Sequence, residues 1–135
     1  IFSGAIRALG TFVLELELSY FVMLLLLLAV PFLLFMFLDQ VSVLMVLIPL
    51  YIPIVALYGY DPIWFWTLVL IVATVGGITP PFGYTLYAFK SAVPSIETRE
   101  LFRAAWPFVG LIMLGMAIMA TFPQIITFLP DLMRG

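Results

Sequence analysis

The 135-residue sequence contains no cysteine and no histidine, which excludes a disulfide framework, a thiolate nucleophile and the two commonest transition-metal ligands. Charge is scarce as well, at 9% of residues against roughly 25% in an ordinary soluble domain. A watery surface cannot be built from so little. Seven acidic residues outnumber five basic ones, and the net charge of -2 leaves no positive field of the kind nucleic acid requires. With no paired-carboxylate constellation either, nothing is placed to activate water or a nucleophile, so the chain is not expected to be an enzyme. It opens Ile1-Phe2-Ser3-Gly4, without a methionine, a charged n-region or a signal-peptide cleavage site, and reads as the end of something longer.

What is abundant is apolar sequence, 66% of residues. At about 20 residues per crossing there is room for at most about five or six membrane segments, and an all-α integral membrane protein is expected. Residues 1–17, with Arg7, Glu15 and Glu17, read as the end of a preceding helix or an interfacial segment. The two glutamates are two apart, on opposing sides of a helix, and form no paired site. Residues 18–58 contain two apolar runs, Leu18 to Leu38 and Val41 to Tyr58, with Pro31, Pro49 and Pro53 inside them. Only Asp39 and Gln40 separate the runs, with no basic residue nearby. So little polar company favours a re-entrant helical hairpin with its tip near 35–40 at membrane depth over two crossings joined by a tight turn. Gly59-Tyr60-Asp61-Pro62 is a turn, with Asp61 as a helix N-cap.

Residues 63–89 form one transmembrane segment, opening on the interfacial aromatics Trp64, Phe65 and Trp66 and broken at 76–83 by Gly76-Gly77-Ile78-Thr79-Pro80-Pro81-Phe82-Gly83. Glycines permit close approach, prolines cannot donate to the helical ladder, and Thr79 adds a hydroxyl oxygen. An unpaired backbone group in hydrocarbon costs several kcal/mol, so irregular backbone there implies that something offsets the cost. In secondary transporters freed carbonyls hold sodium and half-helix N-termini face anionic substrate groups; the bland alternative is a proline kink. Asp39 is the sharpest single residue, because a carboxylate at the bilayer centre costs roughly 2.5 to 3.5 kcal/mol on insertion scales. It reads as an ion-site carboxylate, as the N-cap of the helix from Val41, or as both.

Residues 90–103 hold Lys90, Arg99 and Arg103, three of the five basic residues, and read as a cytoplasmic loop with a short surface helix and Lys90 anchoring a helix end. A last transmembrane helix is expected over 104–129, with a tail over 130–135. Met113, Met116 and Met119 recur every three residues on it, a packing pattern rather than a ligand set.

Phe37-Leu38-Asp39-Gln40-Val41-Ser42, Ile48-Pro49 with Pro53-Ile54, Gly59 to Phe65 and Gly77-Ile78-Thr79-Pro80-Pro81-Phe82-Gly83 together resemble the large membrane subunit of tripartite ATP-independent periplasmic (TRAP) transporters. Lys90 to Pro94, Arg103 to Pro107 and Phe122-Pro123 continue the likeness over nearly the whole chain, in roughly the last third of that subunit. The resemblance implies a sodium-coupled elevator-type importer of organic acids in the bacterial inner membrane. Its large subunit is built from two inverted repeats, each with a re-entrant hairpin and a discontinuous helix, and this chain would be the second. A small membrane subunit and a periplasmic substrate-binding protein are the implied partners, and sodium the coupling ion, with no other cofactor. Asp39, Gly77, Thr79 and Pro80 would hold sodium, while Phe35, Leu38, Pro81 and Gly83 would line the substrate site. Phe35 departs from the pattern, since members usually carry glycine there. The alternative from another class is a structural membrane subunit whose kinks serve packing alone. The transported solute cannot be named from this sequence.

Overall fold

The computed structural model describes residues 2–80 and 82–135. Among these there is no strand. The helices are α1 (Phe2–Glu15), α2 (Tyr20–Phe37), α3 (Gln40–Tyr58), α4 (Pro62–Ile78), α5 (Tyr84–Ala92), α6 (Thr98–Thr121) and α7 (Gln124–Arg134). Local chemistry sets most of the boundaries. Ser19, Asp39 and Asp61 cap α2, α3 and α4, each accepting from the amide three residues on, at 3.5, 2.9 and 3.0 Å. Pro62 follows Asp61 at the start of α4, where a missing amide hydrogen costs nothing. Gly59 ends α3 in the left-handed region at φ 69°, which a side chain would oppose. Glu15 closes α1 and Glu17 sits in the turn after it; both are exposed.

At 17 residues α4 is apolar on every side and forms the centre of the bundle, burying Trp64, Phe65, Leu68, Val69, Val72 and Val75. Its most extensive neighbour is α2, which runs parallel to it: Tyr20 stacks 6.5 Å from Trp64 at one end and Phe35 meets Gly76 at the other. Antiparallel to both is α6, with Met119 beside Trp64 and Leu101, Ala104, Ala105 and Phe108 around Ile78. Met113 and Met116 pack over Val72 and the α2 residues Leu25, Leu28 and Phe32, lining an apolar cavity of about 180 Å³. The aromatic end of the bundle is tied by polar tips: the Tyr60 hydroxyl donates to the Tyr20 carbonyl at 2.6 Å and that of Tyr58 to the Leu18 carbonyl at 3.2 Å.

The outer surface is as apolar as the core, with Met45 74% exposed and Leu25, Val41 and Leu111 close behind. Such a surface suits an apolar environment, and the chain is a membrane protein. Three described helices, α2, α3 and α6, are long and apolar enough to cross a bilayer.

The interruption is shorter than the sequence placed it. Helix α4 continues through Gly76 and Gly77 to Ile78, and among the described residues the break is Thr79, Pro80, Phe82 and Gly83. Glycine is a poor helix former by about 1 kcal/mol, but here the absence of side chains admits α2 and the start of α5. Residues 98–103 form no separate surface helix; they are the first turns of α6, because Arg99 to Ala105 are good helix formers and run directly into the apolar stretch. At the far end Pro123 ends α6 earlier than expected, and the chain re-enters a helix, α7, that carries Pro130 and reaches Arg134 where a tail was anticipated.

Candidate functional site

Two segments converge at one end of α4: the turn joining α2 to α3, and the loop from Thr79 to Gly83. One contact joins them directly, between Phe37 and Phe82, and two more seat the turn on α4. The Phe37 and Phe82 rings lie 4.4 Å apart, the Gln40 side-chain amide donates to the Ala73 carbonyl at 2.9 Å, and Phe35 is fully buried against Gly76. A Cβ built on Gly76 would stand 2.6 Å from that of Phe35, so the bulk on α2 is accommodated by the lack of bulk on α4.

In the loop, Thr79 is the one buried polar side chain among the described residues, 5% exposed. Its amide turns back to the Gly76 carbonyl at 3.3 Å, and its hydroxyl donates to the Val75 carbonyl at 2.5 Å. The helical partners of the Gly76 and Gly77 carbonyls would be residues 80 and 81, both prolines without a hydrogen to give. The loop closes through the Gly83 amide, which donates to the Thr79 carbonyl at 2.9 Å. Gly83 then starts α5 flat against α4, where an added Cβ would lie 2.9 Å from the Gly77 carbonyl oxygen. A Cβ on Gly77 would meet the Thr85 hydroxyl and the Tyr84 ring, each at 3.1 Å. Close approach to backbone therefore requires glycine at 83, while at Gly77 the neighbours are side chains in tight contact. Pro80 is buried between these contacts.

The structure thus brings Gly77, Thr79, Pro80 and Gly83 together, with Phe35 behind them. It places Asp39 and Leu38 differently, on the exposed side of the turn. The Asp39 carboxylate accepts from the Ser42 amide, and no described hydrogen bond joins it to Gly77, Thr79 or Pro80. It borders a groove of about 400 Å³ between α2 and α3, walled by Leu34, Leu38, Ser42, Val43, Val46 and Leu47. Pro81 lies outside the described residues. Gln40 was overlooked in the sequence, although an amide inside an apolar run must find a partner. Lys90 reaches back to the Pro94 and Ile96 carbonyls and ties the α5–α6 loop.

The oxygens gathered at the interruption are carbonyls and hydroxyls: those of Val75, Gly76, Gly77, Thr79 and Thr85. Among the described residues no three carboxylates gather into one cluster.

Residues 1–125 match the family described as tripartite ATP-independent periplasmic transporter, DctM component. A sialic acid TRAP transporter large permease protein of Vibrio cholerae is 31% identical over 99 residues, covering 73% of this chain and 23% of that protein. An ectoine/5-hydroxyectoine TRAP transporter large permease protein of Ruegeria pomeroyi is 37% identical over 98 residues, with 72% and 22% covered. A C4-dicarboxylate TRAP transporter large permease protein of Vibrio cholerae is 32% identical over 99 residues, with 73% and 22% covered. This chain therefore spans under a quarter of the length of these curated relatives. No solved structure matches it significantly. The sequence motifs, the all-helical apolar fold and the match over residues 1–125 agree: the chain belongs to the DctM-component, or large permease, family of tripartite ATP-independent periplasmic transporters.

Proposed function

We propose that this chain is the second repeat of a large permease subunit that imports organic acids across the bacterial inner membrane, driven by sodium. The observation that carries the reading is the interruption at 79–83. There the one buried polar side chain among the described residues stands beside the Gly77 carbonyl, whose helical donor would be the proline at 81. Lipid cannot hydrate such a carbonyl, and a coordinated sodium ion would offset the cost. Thr79, Gly77 and Pro80 would supply oxygens from α4 and the loop. Asp39 would complete the site from the α2–α3 turn once the turn closes over the loop, with Phe35, Leu38, Pro81 and Gly83 beside the substrate.

In this reading α2 and α3 form a re-entrant hairpin entering from the periplasmic side, and the Lys90–Arg103 stretch is cytoplasmic. Support comes from the hairpin turn meeting the interruption, through the Phe37 and Phe82 rings. The hairpin and the interrupted helix would move together as the mobile part of an elevator. A small membrane subunit and a periplasmic binding protein would complete the transporter, and the binding protein would present the solute. The relatives named above carry the names of sialic acid, ectoine and C4-dicarboxylates; a carboxylate is the group proposed here for recognition by the helix N-terminus at α5.

The test is uptake by the full-length permease with its small subunit in liposomes, given the binding protein and radiolabelled C4-dicarboxylate or sialic acid. A sodium gradient should drive accumulation, Thr79→Val should abolish it, and Thr79→Ser should retain it. Accumulation indifferent to sodium, or to Thr79→Val, overturns the proposal.

A further inference from the structure

Pro123 stands four residues after Met119 and has no amide hydrogen, so the Met119 carbonyl near the end of α6 has no helical donor. That carbonyl does not go unpaired. The indole N–H of Trp64, from the first turn of α4 and 55 positions away in sequence, donates to it at 2.9 Å. Trp64 is 2% exposed and wedged between Tyr20, 6.5 Å away and nearly parallel, and Tyr60, 6.1 Å away. Tyr60 is held in turn by its hydroxyl on the Tyr20 carbonyl. The indole is therefore fixed before it reaches α6.

We propose that Trp64 is a positioning residue whose indole N–H substitutes for the amide hydrogen that Pro123 lacks, latching the end of α6 to the start of α4. Two consequences follow. The break between α6 and α7 is stabilised from outside the helix that breaks, because the freed carbonyl is paired by another element and need not draw the chain back into register. The direction in which α7 leaves the bundle is then set by Trp64, since the last turn of α6 cannot rotate about its axis without losing the bond. Among the side chains described, no phenylalanine or tyrosine at position 64 could repeat this: phenylalanine has no donor, and a phenol projects its donor along the ring axis rather than from its edge.

The latch makes a prediction that a merely space-filling tryptophan does not, because the value of the indole N–H must depend on residue 123. In the full-length permease in lipid nanodiscs, Trp64→Phe should lower the melting temperature. Pro123→Ala returns an amide hydrogen to the helix, and in that background Trp64→Phe should cost less than half as much. Equal loss in both backgrounds overturns the proposal. Should Trp64→Phe not yield folded protein, Pro123→Ala alone is read by the ¹H shift of the ¹⁵N-labelled Trp64 indole. An upfield move is expected as the carbonyl acquires a competing donor, and an unchanged shift refutes the latch.

Discussion

Replacing Gly76 by alanine tests the contact that seats the α2–α3 turn on α4. The added Cβ would stand 2.6 Å from the Phe35 Cβ, 3.1 Å from the Phe32 carbonyl oxygen and 3.2 Å from the Phe35 carbonyl carbon. Carbon atoms settle at about 3.5–4.0 Å, so the two helices must part by roughly 1 Å. Two of the three neighbours are backbone and the third is a Cβ, so no rotamer change can relieve the clash. Overpacking of this kind costs about 1–3 kcal/mol. Alanine's better helix propensity returns about 1 kcal/mol, leaving a net loss of up to about 2 kcal/mol. The measurement is reversible unfolding of the full-length permease in mixed micelles, followed by near-ultraviolet circular dichroism. An alanine variant more stable than the parent by the roughly 1 kcal/mol that helix propensity alone returns would refute the close approach of α2 and α4 at this level.

Other substitutions separate structural from ionic roles. Asp39→Ala should cost about 1 kcal/mol through loss of the α3 N-cap, whereas Asp39→Asn should leave stability near the parent's and still impair sodium-driven uptake; unfolding and uptake are compared on the same preparations. Gln40→Leu removes the bond to the Ala73 carbonyl and should destabilise by about 0.6 kcal/mol, the average for interhelical hydrogen bonds in membranes, with faster amide exchange in residues 38–42 as the local readout.

The helix starts at Ser19, Asp39 and Asp61 and the stop at Gly59 follow from side chains within three residues of the boundary, and a sequence displays such chemistry openly. Asp39 as an N-cap and the methionines of α6 as packing residues belong to the same class. The limits of the interruption do not. Gly76-Gly77 has a break's composition, yet it stays helical because Phe35 lies across it, and that partner is 41 positions away. Pro80 and Gly83 were visible as irregular, while the folding of Gly83 onto the Gly77 carbonyl depends on a reversal the motif does not encode locally. The end of α6 was misplaced for a similar reason. Pro123 could be read as a kink inside a longer helix until Trp64 took the carbonyl it frees. Strong helix formers at 99–105 also outweighed their charge, joining a stretch expected to be a loop onto α6.

Sodium-dependent stabilisation of the full-length permease tests the cation site most directly, since it needs neither the transported solute nor the partner proteins. Melting temperatures are taken in sodium chloride and in choline chloride of equal ionic strength. A ligand at 100 times its dissociation constant stabilises by about 2.7 kcal/mol, well within detection. Oxygens at residues 75–83 that hold sodium give a higher melting temperature in sodium for the parent and for Thr79→Ser, and no difference for Thr79→Val. Identical melting in the two salts, or a sodium effect that survives Thr79→Val undiminished, would show that the interrupted helix serves packing alone.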